Sequence, residues 1–338
     1  MLSALLVATI LSAEPALRLR AVGDVMLGTA EPEGYLPPDD GAQLLAGVKD
    51  WLADADLTFM NFEGPLCDDG SSTKCSKPGN CYAFRTPTRY AKYFTEAGVD
   101  FGSTANNHSG DFGESCRRQT EAALDKEGIR WSGPPGSIAR LEKNGLKVAM
   151  VAFHTSASCN DVNDLPAAKA LVKKAGEGSD VVIVSFHGGA EGTKADRVLP
   201  GREKYLGENR GDLRAFTHAV IDAGADLVLG HGPHVLRGME LYKDRLIAYS
   251  MGNFATYGRF TLGGPLGVGV ILEVELAKDG AFVQGKILST AQVDKGVPVK
   301  DKKERAKAAL KALTERDFPK TPLQFHDDGR VTPKKGER

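Results

Sequence analysis

Residues 225–238 read ADLVLGHGPHVLRG. The first half is a short Leu/Val run bounded by small residues, the pattern of a buried strand. Directly behind it stand two histidines, His231 and His234, framed by glycine and proline. In open α/β sheets, sites gather at the carboxyl ends of strands, so a strand ending in imidazoles marks a candidate site and its fold together. Two histidines alone decide little, because solvated loop histidines are common. The question is whether other strands end the same way.

Five others do. AVGDVMLG (21–28) supplies Asp24, and MNFEGPL (60–66) supplies Asn61 and Glu63. STANNHSGDFG (103–113) carries Asn106, Asn107, His108 and Asp111. SFHGGAE (185–191) brings His187 and Glu191, and SMGNF (250–254) brings Asn253. Each set follows an apolar run and is framed by glycine or another small residue, which lets backbone and ligand approach closely. Carboxylate oxygen, amide oxygen and imidazole nitrogen form a donor set suited to Mn, Fe or Zn rather than a thiolate-only site. Asp24, Glu63, Asn107, His187, His231 and His234 are the candidate ligands, for one or two divalent ions. A bridging carboxylate holds paired cations about 3.5–4 Å apart in many phosphoesterases, where the metal makes water a nucleophile. His108 is the candidate general acid and Asp111 the group that orients it. Asn106, Asn253, Arg85 and Arg237 are candidate substrate contacts, the two arginines as grips for an anion.

Taken singly, these residues have plainer explanations. Asp24 suits a turn, Asn106 and Asn107 suit a tight loop, and His187 suits a satisfied core position. Arg85 and Arg237 are explained equally well as solvated surface residues. Glu63 is harder to dismiss, since a carboxylate directly after an apolar strand needs a partner if buried. His154, His218 and His326 are taken as structural. It is the recurrence over strand ends that makes coincidence a poor account.

The first part of the chain alternates strands with helical patterns. LRLRAVGD (17–24), ADLTFMNFE (55–63), VDFGSTANN (99–107), KVAMVAFH (147–154) and DVVIVSFHG (180–188) have strand character. Helices are expected over 41–54, 86–98, about 109–128, roughly 163–177 and 210–224. After residue 238 the rhythm changes to strands separated by turn signals such as KDG. An alternating part followed by an antiparallel part predicts two sheets packed together with helices outside. One domain is expected over 17–295, followed by a charged helix and a polar tail over 300–338.

The chain has 338 residues, 41% hydrophobic and 26% charged, and a net charge of −1. That composition supports a sizeable core, and the balance of charge gives no case for nucleic-acid binding, which needs a basic surface. Residues 1–13 resemble a secretory signal with a short apolar stretch, so export to the periplasm or outside is expected. No later stretch offers about 18 consecutive apolar residues, so no transmembrane helix is expected. Of five cysteines, Cys67, Cys75 and Cys81 share a polar loop, while Cys116 and Cys159 lie apart. A disulfide between two of the first three fits an oxidising compartment better than a zinc site, and the odd count leaves a thiol unpaired.

In order, GDVMLG, NFEGPL, ANNHSGDFG, SFHGGAE, GHGPHVLRG and SMGNF resemble the CapA-type poly-γ-glutamate (capsule) synthesis protein family, part of the calcineurin-like metallophosphoesterase superfamily. The likeness covers roughly residues 17–255 and is specific as an ordered set. It implies an α/β fold, a four-layer α-β-β-α sandwich of two mixed sheets around a metal centre. It implies that Asp24 matches the first-motif aspartate, Glu63 the bridging carboxylate, and Asn107 and His108 the pair of metal ligand and general acid. His187 matches the isolated histidine ligand, and His231 with His234 the final pair, serving adjacent metals. Three departures stand out. Met26 replaces a histidine of the first motif, Glu63 replaces an aspartate, and Gly232-Pro233 lengthens the final pair. A thioether is a poor ligand for a hard or borderline dication.

The expectation is an exported metal-dependent protein that makes or handles an anionic polymer such as poly-γ-glutamate, hydrolysing a phosphoester or amide bond. Its partners would be that polymer or a phosphorylated small molecule, together with membrane-bound capsule synthesis machinery. Met26 supports a different reading, a non-catalytic binding or assembly subunit with a reduced metal site. A third is a nucleotidase or sugar-phosphatase, which aromatic residues able to sandwich a base would favour.

Overall fold

The computed structural model describes residues 14–72, 74 and 81–334. The signal-like segment 1–13 and Cys75 lie outside the described residues. The chain first lays down four parallel neighbours, β1 (Leu17–Met26), β2 (Leu57–Phe62), β3 (Phe101–Ser103) and β4 (Arg130–Ser132). Between them run α1 (Lys49–Ala53), α2 (Ala91–Glu96) and α3 (Gly113–Lys126). A second sheet uses β5 (Ala139–Lys143), β6 (Leu146–His154), β7 (Asn160–Asp161) and β8 (Val181–His187). A separate hairpin, β9 (Glu203–Tyr205) and β10 (Glu208–Gly211), precedes β11 (Leu227–His231), β12 (Met239–Tyr242) and β13 (Arg245–Ala248). The order in this sheet is β12-β13-β11-β8-β6-β5, with β7 against β6. The helices α4 (Leu165–Gly176) and α5 (Leu213–Asp222) belong to its crossovers.

The chain then returns to the first sheet. There β14 (Asn253–Thr256) pairs with β1 in parallel, and β15 (Val268–Leu276) and β16 (Phe282–Val293) extend it antiparallel. It is completed by β17 (Val297–Lys300), α6 (Arg305–Asp317), β18 (Leu323–Phe325) and β19 (Arg330–Pro333).

Period-two alternation divides the strands among layers. In β6, Val148, Met150 and Ala152 enter the core between the sheets, while Ala149, Val151 and Phe153 face α4 and α5. In β8, Ile183 faces inward, and Val182, Val184 and Phe186 face outward. On the other side Leu19, Ala21 and Phe59 join the inter-sheet core, and Met60 and Phe62 pack with Leu52, Phe94 and Leu124. Two sheets faced by helices on both sides make the four-layer α-β-β-α sandwich. No helix among the described residues is long and apolar enough to cross a membrane.

Two expectations need correction. Only Lys49–Ala53 of 41–54 is α-helical. The turns before it bond from Leu44, Ala46 and Val48 to carbonyls three residues back, in a stretch containing Gly47, and glycine disfavours helix. The expected polar tail instead holds β18 and β19, because Leu323 and Val331 bury into the inter-sheet core. Cys67 pairs with Cys116 on α3, and the expected pairing within the loop is left to Cys75 and Cys81, of which Cys75 lies outside the described residues. Cys81 is disulfide-bonded too, and Cys159 is a buried free thiol.

Candidate metal centre

Both sheets deliver strand C-termini to one place. The register sets Asp24 of β1 opposite Asn61 of β2 on one side and Asn253 of β14 on the other. Both ladders shift register at Asp24, an irregularity that re-aims side chains. Gly23 is required there, because a Cβ would lie 1.8 Å from the Gly252 carbonyl oxygen. In the second sheet His231 of β11 is the direct neighbour of His187 of β8.

His234 joins the two halves. It adopts φ 61°, a left-handed conformation uncommon outside glycine and frequent at functional sites. Its Nδ1 lies 3.0 Å from Asp24 Oδ2 and 3.0 Å from Asn253 Oδ1. Its Nε2 faces Glu63 Oε1 at 3.5 Å and Glu191 Oε2 at 3.7 Å. Asp24 Oδ1 accepts from Asn61 Nδ2 at 2.8 Å and lies 3.3 Å from His231 Nδ1 and 4.0 Å from His187 Nδ1. Asp24, Glu63 and His234 offer ligand atoms all within 4.8 Å of one another.

Burial works against every charge in this cluster. Burial raises the Asp24 pKa, yet the imidazoles of His231 and His234 beside it hold it well below the usual carboxylate range. Glu63 is pushed well above that range by burial and by the charges of Asp24 and Glu191, with His234 opposing. Burial drives His187 well down. His234 is lifted to about 10 against burial, by the attraction of Glu63 and Asp24. A field that holds a buried imidazolium in place favours any cation there.

The donors fit a divalent metal. Both oxygens of Glu63, both ring nitrogens of His231, Nε2 of His187 and Oδ1 of Asn107 are buried without a hydrogen-bond partner among the described residues. Such groups are costly to leave unpaired, and a metal ion satisfies them. Oxygen and nitrogen donors in this mixture suit Mn, Fe or Zn. Met26 is not offered as a ligand, since its sulfur accepts from the Gly28 N–H at 3.1 Å.

Beside this cluster, His108 Nδ1 lies 2.7 Å from Asp111 Oδ2, and its Nε2 faces Glu63 Oε1 at 3.8 Å. Asp111 is held by the Phe84 N–H at 2.8 Å and by Lys74 Nζ at 2.6 Å. Burial lowers the His108 pKa, with Asp111 opposing. A depression of about 230 Å³ lined by Lys74, Asn106, Asn107, Asp111 and Ser156 opens here.

The expected substrate contacts fare less well. Arg237 is buried, its guanidinium bound to Glu203 by two 2.8 Å bonds and to the Ala195 carbonyl. Arg85 bonds the Gly70 carbonyl, pairs with Glu31 and lies over Phe112. Arg237 is thus engaged within the fold, whereas Arg85 keeps Nε buried without a hydrogen-bond partner among the described residues. Asn106 is a loop clasp, donating to the Phe62 carbonyl and accepting from the His108 N–H. Asn253 reaches the cluster, but it positions His234 and donates to the Leu266 carbonyl. Phe84 and Phe260 stack on each other at 5.3 Å, which leaves no slot between them for a base. Glu191, noted with the strand-end donors, reaches the site, while Lys74 and Arg210 were outside the expected set. Lys74 sits in a loop without periodicity, and Arg210, expected to open a helix over 210–224, lies instead on strand β10, with the helix starting at Leu213.

A two-sheet sandwich with carboxylates and imidazoles converging from strand ends of both sheets defines an α/β protein with a candidate metal centre. The chain belongs to the bacterial capsule synthesis protein PGA_cap family, whose model matches residues 18–257. It is 28% identical over 261 residues to the capsule biosynthesis protein CapA of Bacillus anthracis, covering 70% of this chain and 59% of that protein. It is 26% identical over 250 residues to the PGA biosynthesis protein CapA of Bacillus subtilis (strain 168), covering 69% and 61% respectively. The chain thus spans about three fifths of the length of these relatives. A solved putative 5′-nucleotidase from Staphylococcus aureus superposes with TM-score 0.45 at 11% identity, covering 88% of this chain and 57% of that one.

Proposed function

We propose that this protein is an exported, metal-dependent hydrolase that acts in the synthesis or handling of an anionic capsule polymer such as poly-γ-glutamate. The carrying observation is the convergence of Asp24, Glu63 and His234, with unpartnered atoms of His187, His231 and Asn107, next to a His108–Asp111 pair. A purely structural ion has no use for an oriented acid beside it. Family membership supports the polymer, and the Cys67–Cys116 disulfide supports an oxidising compartment.

Asp24, Glu63, Asn107, His187, His231 and His234 would hold one or two ions. A divalent cation in such a site supplies Lewis-acid polarisation and lowers the pKa of water. His108 delivers a proton to the leaving group from Nε2, while Asp111 accepts from Nδ1–H and fixes the ring. Lys74 neutralises Asp111 and presents a cation beside the opening.

Elemental analysis of the protein purified without chelator tests this. About two equivalents of Mn, Fe or Zn support a two-metal hydrolytic centre. None, even after reconstitution, defeats the proposal. The engagement of Met26 with Gly28 favours a second reading, a polymer-binding subunit with a reduced site. That reading expects at most one equivalent and no turnover of phosphoesters or γ-glutamyl peptides.

A further inference from the structure

On the second-sheet side of the site, two buried side chains carry donor atoms that no described residue uses. His154 ends β6 beside the end of β8, its ring 5.5 Å from that of His187. It is 2% exposed. Its Nδ1 accepts from the Ser156 N–H at 3.0 Å, which places the remaining ring proton on Nε2. That Nε2 is buried and has no hydrogen-bond partner. With Nδ1 accepting, the ring is neutral and Nε2–H is its donor.

Arg210, on β10, is 3% exposed. Its carbonyl accepts from the Gly189 N–H at 2.8 Å, which locks it against the turn two residues after His187. Its Nη2 pairs with Glu191 Oε1 at 2.9 Å, and Glu191 in turn faces His234. Its Nε lies 2.9 Å from Glu208. Nη1 is buried without a partner. A Cβ on the next residue, Gly211, would lie 2.9 Å from Val162 Cγ1, and the Val162 N–H donates to the His154 carbonyl at 3.0 Å, so the strand of Arg210 packs beside the end of β6. Ser156, which fixes the His154 ring, lines the opening beside His108.

We propose that His154 Nε2–H and Arg210 Nη1 form an oxyanion subsite that takes a carboxylate or phosphate oxygen of the ligand independently of metal. Guanidinium bonds to such oxygens are charge-assisted and strong, and a neutral imidazole donor adds direction without adding charge. The subsite rests on the strand ends being a ligand site, not on the metal content. It gives the ligand two points of attachment, one at the metal donors and one at Arg210.

The test uses the full chain stripped of metal and titrated by calorimetry with orthophosphate and with γ-L-glutamyl-L-glutamate. At least one probe is expected to bind. Arg210→Gln should weaken it about tenfold or more and His154→Phe about three- to tenfold, while His154→Gln, which keeps a donor, stays within about threefold. The probe that binds tells phosphate from carboxylate. No binding of either probe, or binding undiminished in both Arg210→Gln and His154→Phe, overturns the proposal. Arg210→Gln also removes the pairs with Glu191 and Glu208, so wild-type protein labelled with 15N-histidine provides a reading free of folding effects. An Nε2–H tautomer at His154 whose resonance shifts with probe is expected. An Nδ1–H tautomer, or no shift at saturation, counts against the subsite. Because no metal is present, failure here leaves the elemental analysis standing as a separate test.

Discussion

Replacing His231 by alanine removes two ring nitrogens that are buried without a hydrogen-bond partner. The fold gains little from either, so the expected result is loss of bound metal with a stability change within about 2 kcal/mol. Unchanged metal content in that variant, by elemental analysis, would remove His231 from the ligand set. His108→Gln should behave oppositely, keeping metal while slowing turnover of a responsive substrate about 10²–10⁴-fold. Equal rates would leave His108 without a part in proton transfer. Residues of this kind were legible in the sequence because each stands at the end of an apolar run. His154 carried the same mark after KVAMVAF and was set aside as structural, since nothing in its own stretch shows that Nε2 has no partner.

At the scale of elements, close approach of strands is what aims the site. A Cβ on Gly230 would lie 2.3 Å from the Tyr249 carbonyl oxygen and 2.6 Å from the Phe186 ring. Gly230→Ala should therefore cost about 1–3 kcal/mol and lower metal content, read by thermal unfolding and elemental analysis. An unaltered variant would mean that β11 has slack which these distances deny. The end of α6 offers a pH-dependent contact. Burial raises the Asp317 pKa, but bonds from Arg316, the Val198 N–H and Arg197 hold it below the usual value. A depressed folded pKa gives stability that is full above the unfolded pKa, about 4, and is lost as pH falls through the folded value. Wild type should exceed Asp317→Asn by about 1–3 kcal/mol at pH 7, with the gap closing below about pH 4. A gap that persists at low pH would show that the ionised carboxylate is not what stabilises this contact.

For the whole molecule, the C-terminal segment is part of the core. Ala306 and Leu310 of α6, Leu323 of β18 and Val331 of β19 all enter the core between the sheets. Ending the chain after Lys300 should cost roughly 5 kcal/mol or more from apolar burial and remove β19 from its pairing with Gly285 and Lys286 of β16. Cooperative unfolding at an unchanged midpoint would show that 301–338 is an appendage. The charged composition of 300–338 pointed to an exposed helix and tail, and composition could not reveal that its few apolar residues share one face.

The local chemistry of this protein was set by the sequence: which runs become strands, and which ends carry oxygen or nitrogen donors. The near-continuous apolar runs of β6 and β8 are those of strands buried on both faces, and their alternation with helical patterns pointed to helices outside two packed sheets. Only the tertiary structure decided which donors meet, because convergence depends on register and on how two sheets stack. It placed His187 beside His231, turned His234 toward Asp24 and Glu63 through a left-handed backbone, and brought the unheralded Arg210 to the same turn. It also gave Asn106 and Arg237 partners inside the fold. A side chain's availability is a property of its neighbours, and those neighbours are assembled from distant parts of the chain.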